Sequence, residues 1–387
     1  MNLYLLEPTS PGSRWAPFGG VRPIAELRAG IFRIRERWER VVGAPARGIV
    51  GDHVEGFADV DHPPVVPAAT IAGPALVADS TFAPYVGATL PSSATRLTHA
   101  GRTVAWLLAD GESWSGPGDA GSEAALEGLS LGGAADLLDG LTALLPADAA
   151  WFAAQAPPDI PSGSIVLGDA ADVVLVNATV EPGVVFDTRQ GPVVVDGAEV
   201  RHGSRLEGPL YIGHDSVVLG GLVRRSVIGP QCRIRGEISS TIFVGYANKA
   251  HDGFVGDSIV GHWVNLGALT TTSNLKNTYG SVQLDAGTES WDTGRQFLGS
   301  LVGDHAKTAI GTMLGTGTII GAGANVFGSH TIPKFVPPFA WGGTGDARVR
   351  ADGFLRVAER VMPRRGVEWT AERRESLERI YARLGTQ

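Results

Sequence analysis

Cysteine and long apolar runs are the scarcest features of this sequence. The only thiol among its 387 residues belongs to Cys232. A lone thiol excludes an intrachain disulfide framework and fits a reducing cytosol, so we expect a cytoplasmic protein. No segment carries eighteen uninterrupted apolar residues, and a membrane span is therefore not expected. Residues 1–7 lack a basic region, which favours a first strand over a signal peptide.

Basic residues are also in the minority. The chain has 32 lysine and arginine residues against 40 aspartate and glutamate residues, which gives a formal net charge of −8. Because no basic cluster stands out, the composition argues against a nucleic-acid partner. Glycine, in contrast, is abundant, with 53 residues. About half of these glycines fall in one stretch, and we interpret them as turn residues.

That stretch runs from about residue 165 to residue 325 and repeats an aliphatic residue followed by glycine. Successive pairs such as Val260-Gly261 and Leu266-Gly267 are six residues apart. A hexapeptide period of this kind is typical of a parallel β-helix. The aliphatic residue fills a narrow core, and the glycine permits the corner. Because one rung is too small to fold alone, the rungs must stack.

Three regions differ in pattern, and we expect them to be separate domains. Residues 1–153 mix strand-like and helix-like segments, which predicts an α/β domain. A proline-rich linker follows over 154–163, and the β-helix is expected over 164–345. Residues 346–387 have a helical pattern, so we expect a C-terminal helical tail.

Individual elements can also be predicted. Strands are expected over 3–6 and 105–108, and helices over 23–40, 134–145 and 350–362. A last helix should begin after Thr370, whose hydroxyl can cap its N-terminus. The hexapeptide phase is lost near 277–297, which predicts a loop leaving one side of the β-helix.

The string Asn248-Lys249-Ala250-His251-Asp252-Gly253 stands inside the repeat and is the best candidate for chemistry. An imidazole titrates near neutral pH, so His251 is suited to general-base catalysis. A zinc site is a weaker alternative, since zinc held by histidines needs closely spaced ligands. His251 and His262 are eleven residues apart, and no nearer histidine completes such a set.

The segment from Asn248 to Ala268, continued by Thr272-Ser273-Asn274-Leu275-Lys276, resembles a known enzyme family. The chain is similar to the bifunctional N-acetylglucosamine-1-phosphate uridyltransferase/glucosamine-1-phosphate acetyltransferase family, in particular its variant branch with a reduced N-terminal domain. The resemblance covers most of the chain and is strongest over 205–330. It implies a trimer of left-handed β-helices with active sites between subunits, acetyl-CoA as the acetyl donor, and His251 as the general base.

The same resemblance implies roles for further residues. Asn265 lies where the family holds the sugar, Phe254 where it usually has a tyrosine, and Asn274 near the thioester. The residues that match the coenzyme A channel are Ala268, Thr312, Gly321 and Ala322. Lys249 is a candidate for the sugar phosphate. A family lysine is replaced here by Ser239, so Arg224, Arg225 and Lys276 are the other candidates for the phosphate.

The N-terminal region lacks the glycine-rich loop with which ordinary sugar nucleotidyltransferases cradle a triphosphate. The segment from Ala16 to Gly30 resembles the variant branch's substitute for that loop. Arg22 and Arg28 are candidates for holding phosphates at a helix N-terminus. Asp79 ends a predicted strand where a carboxylate could bind Mg²⁺.

Three functions remain open at this point. The first is acetyl-CoA-dependent N-acetylation of an amino-sugar 1-phosphate, coupled or not to uridylyl transfer that yields a UDP-N-acetyl sugar. The second is a Mg²⁺-dependent sugar-1-phosphate nucleotidyltransferase whose β-helix serves only for trimerisation or regulation. The third is a non-catalytic trimeric scaffold.

Overall fold

The computed structural model describes residues 1–91, 94–154, 160–328 and 332–385. Residues 155–159 of the predicted linker lie outside the described residues. The N-terminal region is an α/β unit built on a sheet whose strands have the spatial order β2-β1-β3-β5-β4-β6. These strands are β1 (Asn2–Leu6), β2 (Ala46–Val50), β3 (Ala75–Asp79), β4 (Arg96–His99), β5 (Arg102–Leu108) and β6 (Glu123–Ala125).

The half of this sheet that contains β2, β1 and β3 is parallel. Strand β1 pairs in parallel with β2 and with β3, whereas β5 is antiparallel to β3. The strands predicted over 3–6 and 105–108 are confirmed. A short antiparallel pair, Phe82–Pro84 with Gly128–Ser130, lies outside the main sheet.

The helix predicted over 23–40 is wrong in its first half. Ile24–Glu26 forms a 3₁₀ turn, Arg28–Ala29 pairs with Phe32–Arg33, and only Ile34–Val42 is α-helical (α1). Gly30 stands at the reversal with φ 66°. A Cβ atom there would lie 2.3 Å from a carboxylate oxygen of Asp148, so only glycine fits this turn.

The second predicted helix, over 134–145, is found as a series of helical segments. Ala134–Asp139 is a 3₁₀ helix, and Gly140–Ala143 (α2) and Leu145–Ala153 (α3) continue it. The other 3₁₀ turns of the described residues are Ser13–Trp15, Asp52–Val54, Ala68–Thr70, Ala170–Asp172 and Met362–Arg365.

The repeat folds as a parallel β-helix with three faces. The first face is a parallel sheet in the described residues. Its strands are Val173–Val176, Val193–Asp196, Leu210–Ile212, Val227–Ile228, Ile242–Phe243, Ile259–Val260, Ser300–Val302, Thr318–Ile320 and Phe335–Val336. Their inward side chains are valine, isoleucine, leucine and phenylalanine, as the hexapeptide period predicts.

The second face carries a column of outward residues on successive rungs. The strands of this face are Thr179–Val180, Glu199–Val200, the start of Val217–Arg224, the start of Arg233–Ser239, Asn248–Lys249, Asn265–Leu266, Lys307–Thr308, Asn325–Val326 and Ala340–Trp341. The pairing sets Arg233, Asn248, Asn265, Lys307 and Asn325 one above the other. We call this the polar column.

The third face holds the remaining strands of each rung. They are Ile165–Leu167, Val185–Asp187, Ser204–Glu207, the ends of Val217–Arg224 and Arg233–Ser239, Phe254–Gly256, Thr271–Thr272 and Met313–Leu314. The break predicted over 277–297 contains an antiparallel hairpin, Gln283–Asp285 with Ser290–Asp292. Arg295 in this loop pairs with Asp136 and Asp139 of the N-terminal region.

The tail is helical, as predicted. After the short strand Ala347–Arg348, Ala351–Val361 (α4) and Ala371–Leu384 (α5) follow, and the Thr370 hydroxyl accepts a hydrogen bond from the Arg373 amide. Both helices pack on a corner of the β-helix around Phe339. None of the helices in the described residues has the length and apolar composition that a membrane crossing requires.

Candidate active site on the β-helix

His251 is exposed at the corner between the second and third faces. The turn that carries it is held from inside by Lys249, a fully buried side chain. The Lys249 ammonium donates to the carbonyl oxygen of His251 and, at 3.0 Å, to that of Asp252. Burial lowers the pKa of Lys249 to about 8. Lys249 therefore holds the histidine turn from inside, and its role in binding a sugar phosphate stays a prediction.

Asn265 lies directly above Asn248 in the polar column. The side-chain amide of Asn248 donates to the Asn265 side-chain oxygen over 2.8 Å. This bond fixes both amides on the same face as the strand that leads into the His251 turn. Asn265 keeps its own N–H donors for a ligand.

Ala268 and Thr312 stack on the rungs above the histidine corner. The Gly311 amide donates to the Ala268 carbonyl over 2.8 Å, and the Thr271 amide donates to the Thr312 carbonyl over 3.0 Å. This corner exposes large apolar side chains that a lone chain would leave in water. The exposed fractions are 58% for Leu269, 77% for Ile310 and 71% for Met313.

Phe254 and Asn274 lie together on the third face. A Cβ atom on Gly256 would come within 2.3 Å of the Phe254 ring and 3.0 Å of the Asn274 amide nitrogen. The Asn274 amide donates to Asp257 over 2.6 Å, and burial raises the pKa of Asp257. Asn274 is thus already oriented by a protein carboxylate.

The three cationic candidates for a sugar phosphate make different contacts. The Arg224 guanidinium donates to the Ser239 hydroxyl over 3.1 Å, so an arginine from the rung below reaches the position where the family has a lysine. Arg225 lines a separate cavity of about 440 Å³ beside Asp257. The Lys276 ammonium donates to the Ser281 carbonyl over 3.0 Å.

Gly321 and Ala322 lie at a different corner from His251. Ala322 is buried against Phe339 and Phe354, under the C-terminal helices. Within one chain, these two residues therefore do not line a channel with Ala268 and Thr312.

The two arginines predicted to hold nucleotide phosphates are engaged inside the protein. Arg22 is buried between Asp59 and Asp304, with the Asp304 carboxylate 2.9 Å from its guanidinium. Arg28 donates to the Val244 carbonyl over 2.9 Å and to the Ile31 carbonyl over 2.5 Å. Both side chains join the N-terminal region to the β-helix, and phosphate binding by either of them stays a prediction.

A carboxylate that sequence reasoning missed fills the expected anion position. Glu7 follows strand β1, is buried, and accepts hydrogen bonds from the backbone amides of Ile24 over 2.8 Å and Ala25 over 3.0 Å. These amides open the segment where a phosphate would be bound by backbone N–H groups. The protein's own carboxylate takes that place.

His262 is a second residue that the sequence did not single out. Its Nδ1 atom lies 2.7 Å from an Asp59 oxygen, and its backbone amide donates to Asp304 over 2.9 Å. Burial would raise the pKa of Asp59, but His262 and Arg22 together hold it well below its usual range. Asp59 and His262 are more than 200 residues apart in sequence, so no local sequence pattern predicts this network. We call Arg22, Asp59, His262 and Asp304 the docking network.

Asp79 ends strand β3, as predicted, and forms a local turn. Its carboxylate accepts from the Thr81 amide over 2.7 Å and lies 3.3 Å from Arg102. Within the described ranges, no group of three or more His, Cys, Asp or Glu side chains is arranged to hold a metal ion. Mg²⁺ commonly binds through one or two carboxylates together with substrate phosphates, so Asp79 stays a prediction as its ligand.

Comparisons with known proteins agree with the α/β architecture of the N-terminal region. Residues 5–118 match the family model described as sugar nucleotidyl transferase. A bifunctional sugar-1-phosphate nucleotidylyltransferase/acetyltransferase from Sulfurisphaera tokodaii is 29% identical over 115 residues. This match covers 30% of the chain and 28% of the relative's length. Both matches are transferases, and they support the family resemblance carried by the His251 segment.

Proposed function

We propose that this protein is an acetyl-CoA-dependent N-acetyltransferase that acts on an amino-sugar 1-phosphate, with His251 as the general base. The observation that carries the proposal is the histidine corner itself. A buried lysine immobilises the turn, the imidazole faces solvent, and Asn265 and Ala268 lie on the adjoining rungs. General-base catalysis requires such a positioned and accessible group.

In the proposed reaction, acetyl-CoA supplies the acetyl thioester. The amino-sugar nitrogen attacks the carbonyl carbon, so an N–C bond forms as the C–S bond breaks. His251 takes the proton that the nitrogen loses, and the coenzyme A thiolate leaves and is protonated. Asn265 would orient the sugar, and Phe254 would pack against it without the hydroxyl contact of a tyrosine. Asn274 would lie near the thioester, and Ala268 and Thr312 would leave room for coenzyme A.

The exposed apolar residues at the same corner support a homotrimer. Leu269, Ile310 and Met313 would be covered by a neighbouring chain, which removes their apolar surface from water. Gly321 and Ala322 lie at another corner, and Ala322 is buried under the C-terminal helices, so their contact with coenzyme A stays a prediction. The buried single thiol of Cys232 fits work in the cytoplasm. We also propose the domain division 1–153, 164–345 and 346–387.

The direct test is release of coenzyme A from acetyl-CoA with glucosamine-1-phosphate as the acceptor, followed with a thiol reagent. Free glucosamine is the matched acceptor that lacks the phosphate. We expect release with the phosphorylated sugar and slower release without the phosphate. No release with any amino-sugar phosphate would contradict the proposal and leave the nucleotidyltransferase and scaffold functions.

A second candidate is Mg²⁺-dependent nucleotidyl transfer in the N-terminal region, which the match over residues 5–118 favours. Asp79 would be the carboxylate for Mg²⁺. Against it stand Glu7, which occupies the backbone amides, and Arg22 and Arg28, which are buried in contacts to the β-helix. The test is release of pyrophosphate from UTP and a sugar 1-phosphate, with Asp79→Ala as the variant that should abolish it.

A further inference from the structure

A cavity on the second face, about 250 Å³ in volume, is distinct from the histidine corner. Its floor is the polar column at Asn248, Asn265 and Lys307, and its far wall is the tail at Arg364 and Arg365. His251 does not line it. The cavity therefore exists only because the C-terminal tail folds back over the β-helix.

The charge around this cavity is of one sign. Lys307, Arg364 and Arg365 contribute three cations, and none of the lining residues is acidic. In the described part of the chain, none of the three forms an ion pair with a carboxylate. This is notable in a chain with a net charge of −8, because like charges gathered in a recess repel one another unless an anion joins them.

Two of the cations also lack the contacts that such groups usually have. The Nε atom of Arg365 is buried and has no hydrogen-bond partner among the described residues. Buried polar atoms are almost always paired, and an exception calls for an unseen water or ion. The Lys307 ammonium has one long contact, 3.4 Å to the His305 carbonyl. Burial lowers the pKa of Lys307 to about 8.

The neutral part of the lining complements these cations. Asn265 accepts one hydrogen bond from Asn248 and keeps its amide N–H groups as donors. Tyr246 and Trp263 form an aromatic wall, with ring centroids 4.5 Å apart. Guanidinium and amide donors around a recess suit the several oxygens of a phosphate group.

We propose that the cavity between the polar column and the tail binds the phosphate group of a phosphorylated small molecule, through Lys307, Arg365 and Asn265. Arg364 adds charge at the mouth. The anion would satisfy the buried Arg365 nitrogen and neutralise the cluster. This site uses neither His251 nor the third face, and it shares Asn265 with the proposed acetyl transfer.

Two sources share this chemistry, a sugar phosphate and the phosphates of coenzyme A. The test is calorimetric titration of the full chain with inorganic pyrophosphate, glucosamine-1-phosphate and coenzyme A. The variants are Lys307→Gln and Arg365→Gln, which remove the charge and keep the length. Arg47→Gln is the matched control, since it removes an exposed arginine from the edge of the N-terminal sheet.

We expect saturable binding by the wild type, weakened about tenfold or more by each cavity variant and unchanged by Arg47→Gln. His251→Ala should bind as the wild type does. Tighter binding of the sugar phosphate or of coenzyme A identifies the source. No saturable binding of any of the three probes would overturn the proposal, as would equal binding by the cavity variants with their thermal unfolding unchanged. If the wild type binds a probe but releases no coenzyme A from acetyl-CoA, that result contradicts only the proposed function.

Discussion

The N-terminal region and the histidine corner of the β-helix use charged side chains in opposite ways. The N-terminal region has three buried charged side chains that bind other groups of the protein, namely Glu7, Arg22 and Arg28. At the corner, Lys249 is the buried group, and its bonds to the turn leave the His251 side chain exposed to solvent. Burial with complete pairing indicates a structural role, whereas burial beneath an exposed group indicates positioning.

This difference changes what each region can offer. The docking network joins the first 60 residues to the β-helix, and apolar residues from both regions form one core. The N-terminal region therefore stabilises the β-helix whether or not it transfers nucleotides. The histidine corner has no such stabilising role. Substitutions at His251 should therefore lower the rate of acetyl transfer without affecting the fold.

The largest effect on stability should come from Arg22→Ala. The change leaves Asp59 and Asp304 buried without their cation, and removing one partner of a buried pair costs about 3–5 kcal/mol. Unfolding in denaturant measures the loss, with Arg47→Ala as the exposed control. A loss below about 1 kcal/mol, the range of exposed pairs, would contradict the docking role.

Acid should also destabilise the protein, through buried histidines in the same part of the molecule. Burial lowers the pKa of His305 to about 3 and also lowers that of His262. The unfolded chain then binds protons first, so stability is complete above about pH 6.5 and falls as the pH drops below it. For His305 alone, the loss is about 2 kcal/mol between pH 6.5 and 5.

Thermal unfolding across this pH range tests the expectation. His305→Gln removes one titrating group, so its unfolding temperature should depend less steeply on pH. If the wild type and the variant follow the same pH dependence, His305 is not a proton-linked group.

Lys249→Met should have a smaller effect on stability and a clear effect on catalysis. Methionine keeps the buried volume but cannot donate to the His251 and Asp252 carbonyls, which costs about 1–3 kcal/mol for the unpaired groups. Because the turn would loosen, we expect a lower kcat with little change in the KM for acetyl-CoA. An unchanged kcat would show that Lys249 does not position His251.

Asp79→Ala should have the smallest effect. The side chain makes local bonds to Thr81, and their loss should cost about 1 kcal/mol or less. Acetyl transfer should be unchanged, because Asp79 lies at the carboxyl end of strand β3 in the N-terminal region. A loss of acetyl transfer at unchanged stability would show that the N-terminal region takes part in acetyl transfer.

The sequence predicted the repeated parts of the fold better than the single contacts. The glycine period identified the β-helix, and Thr370 identified the start of the last helix. The helix predicted over 23–40 failed because Gly30 needs a left-handed conformation in a space closed by Asp148, 118 residues away in the chain. The contacts of Arg22 could not be predicted for a similar reason, since its partner Asp304 is 282 residues away.

The same distinction between nearby and distant residues applies to the candidate site. His251 and Asn265 could be named from the resemblance of one segment to a known family, and neighbouring rungs place such nearby residues close in space. That Lys307 and Arg365 line one cavity could not be predicted, because the tail's return over the second face is set by tertiary packing around Phe339.

The central claim is that the chemistry resides at the histidine corner. The most direct measurement compares the rate of coenzyme A release by the wild type, His251→Ala and His214→Ala, with glucosamine-1-phosphate as the acceptor. His214 is an exposed histidine elsewhere on the β-helix and serves as the matched control. We predict a loss of about 10²–10⁴-fold for His251→Ala, an unchanged rate for His214→Ala, and the same unfolding temperature for all three. A His251→Ala enzyme that releases coenzyme A at the wild-type rate would contradict the account.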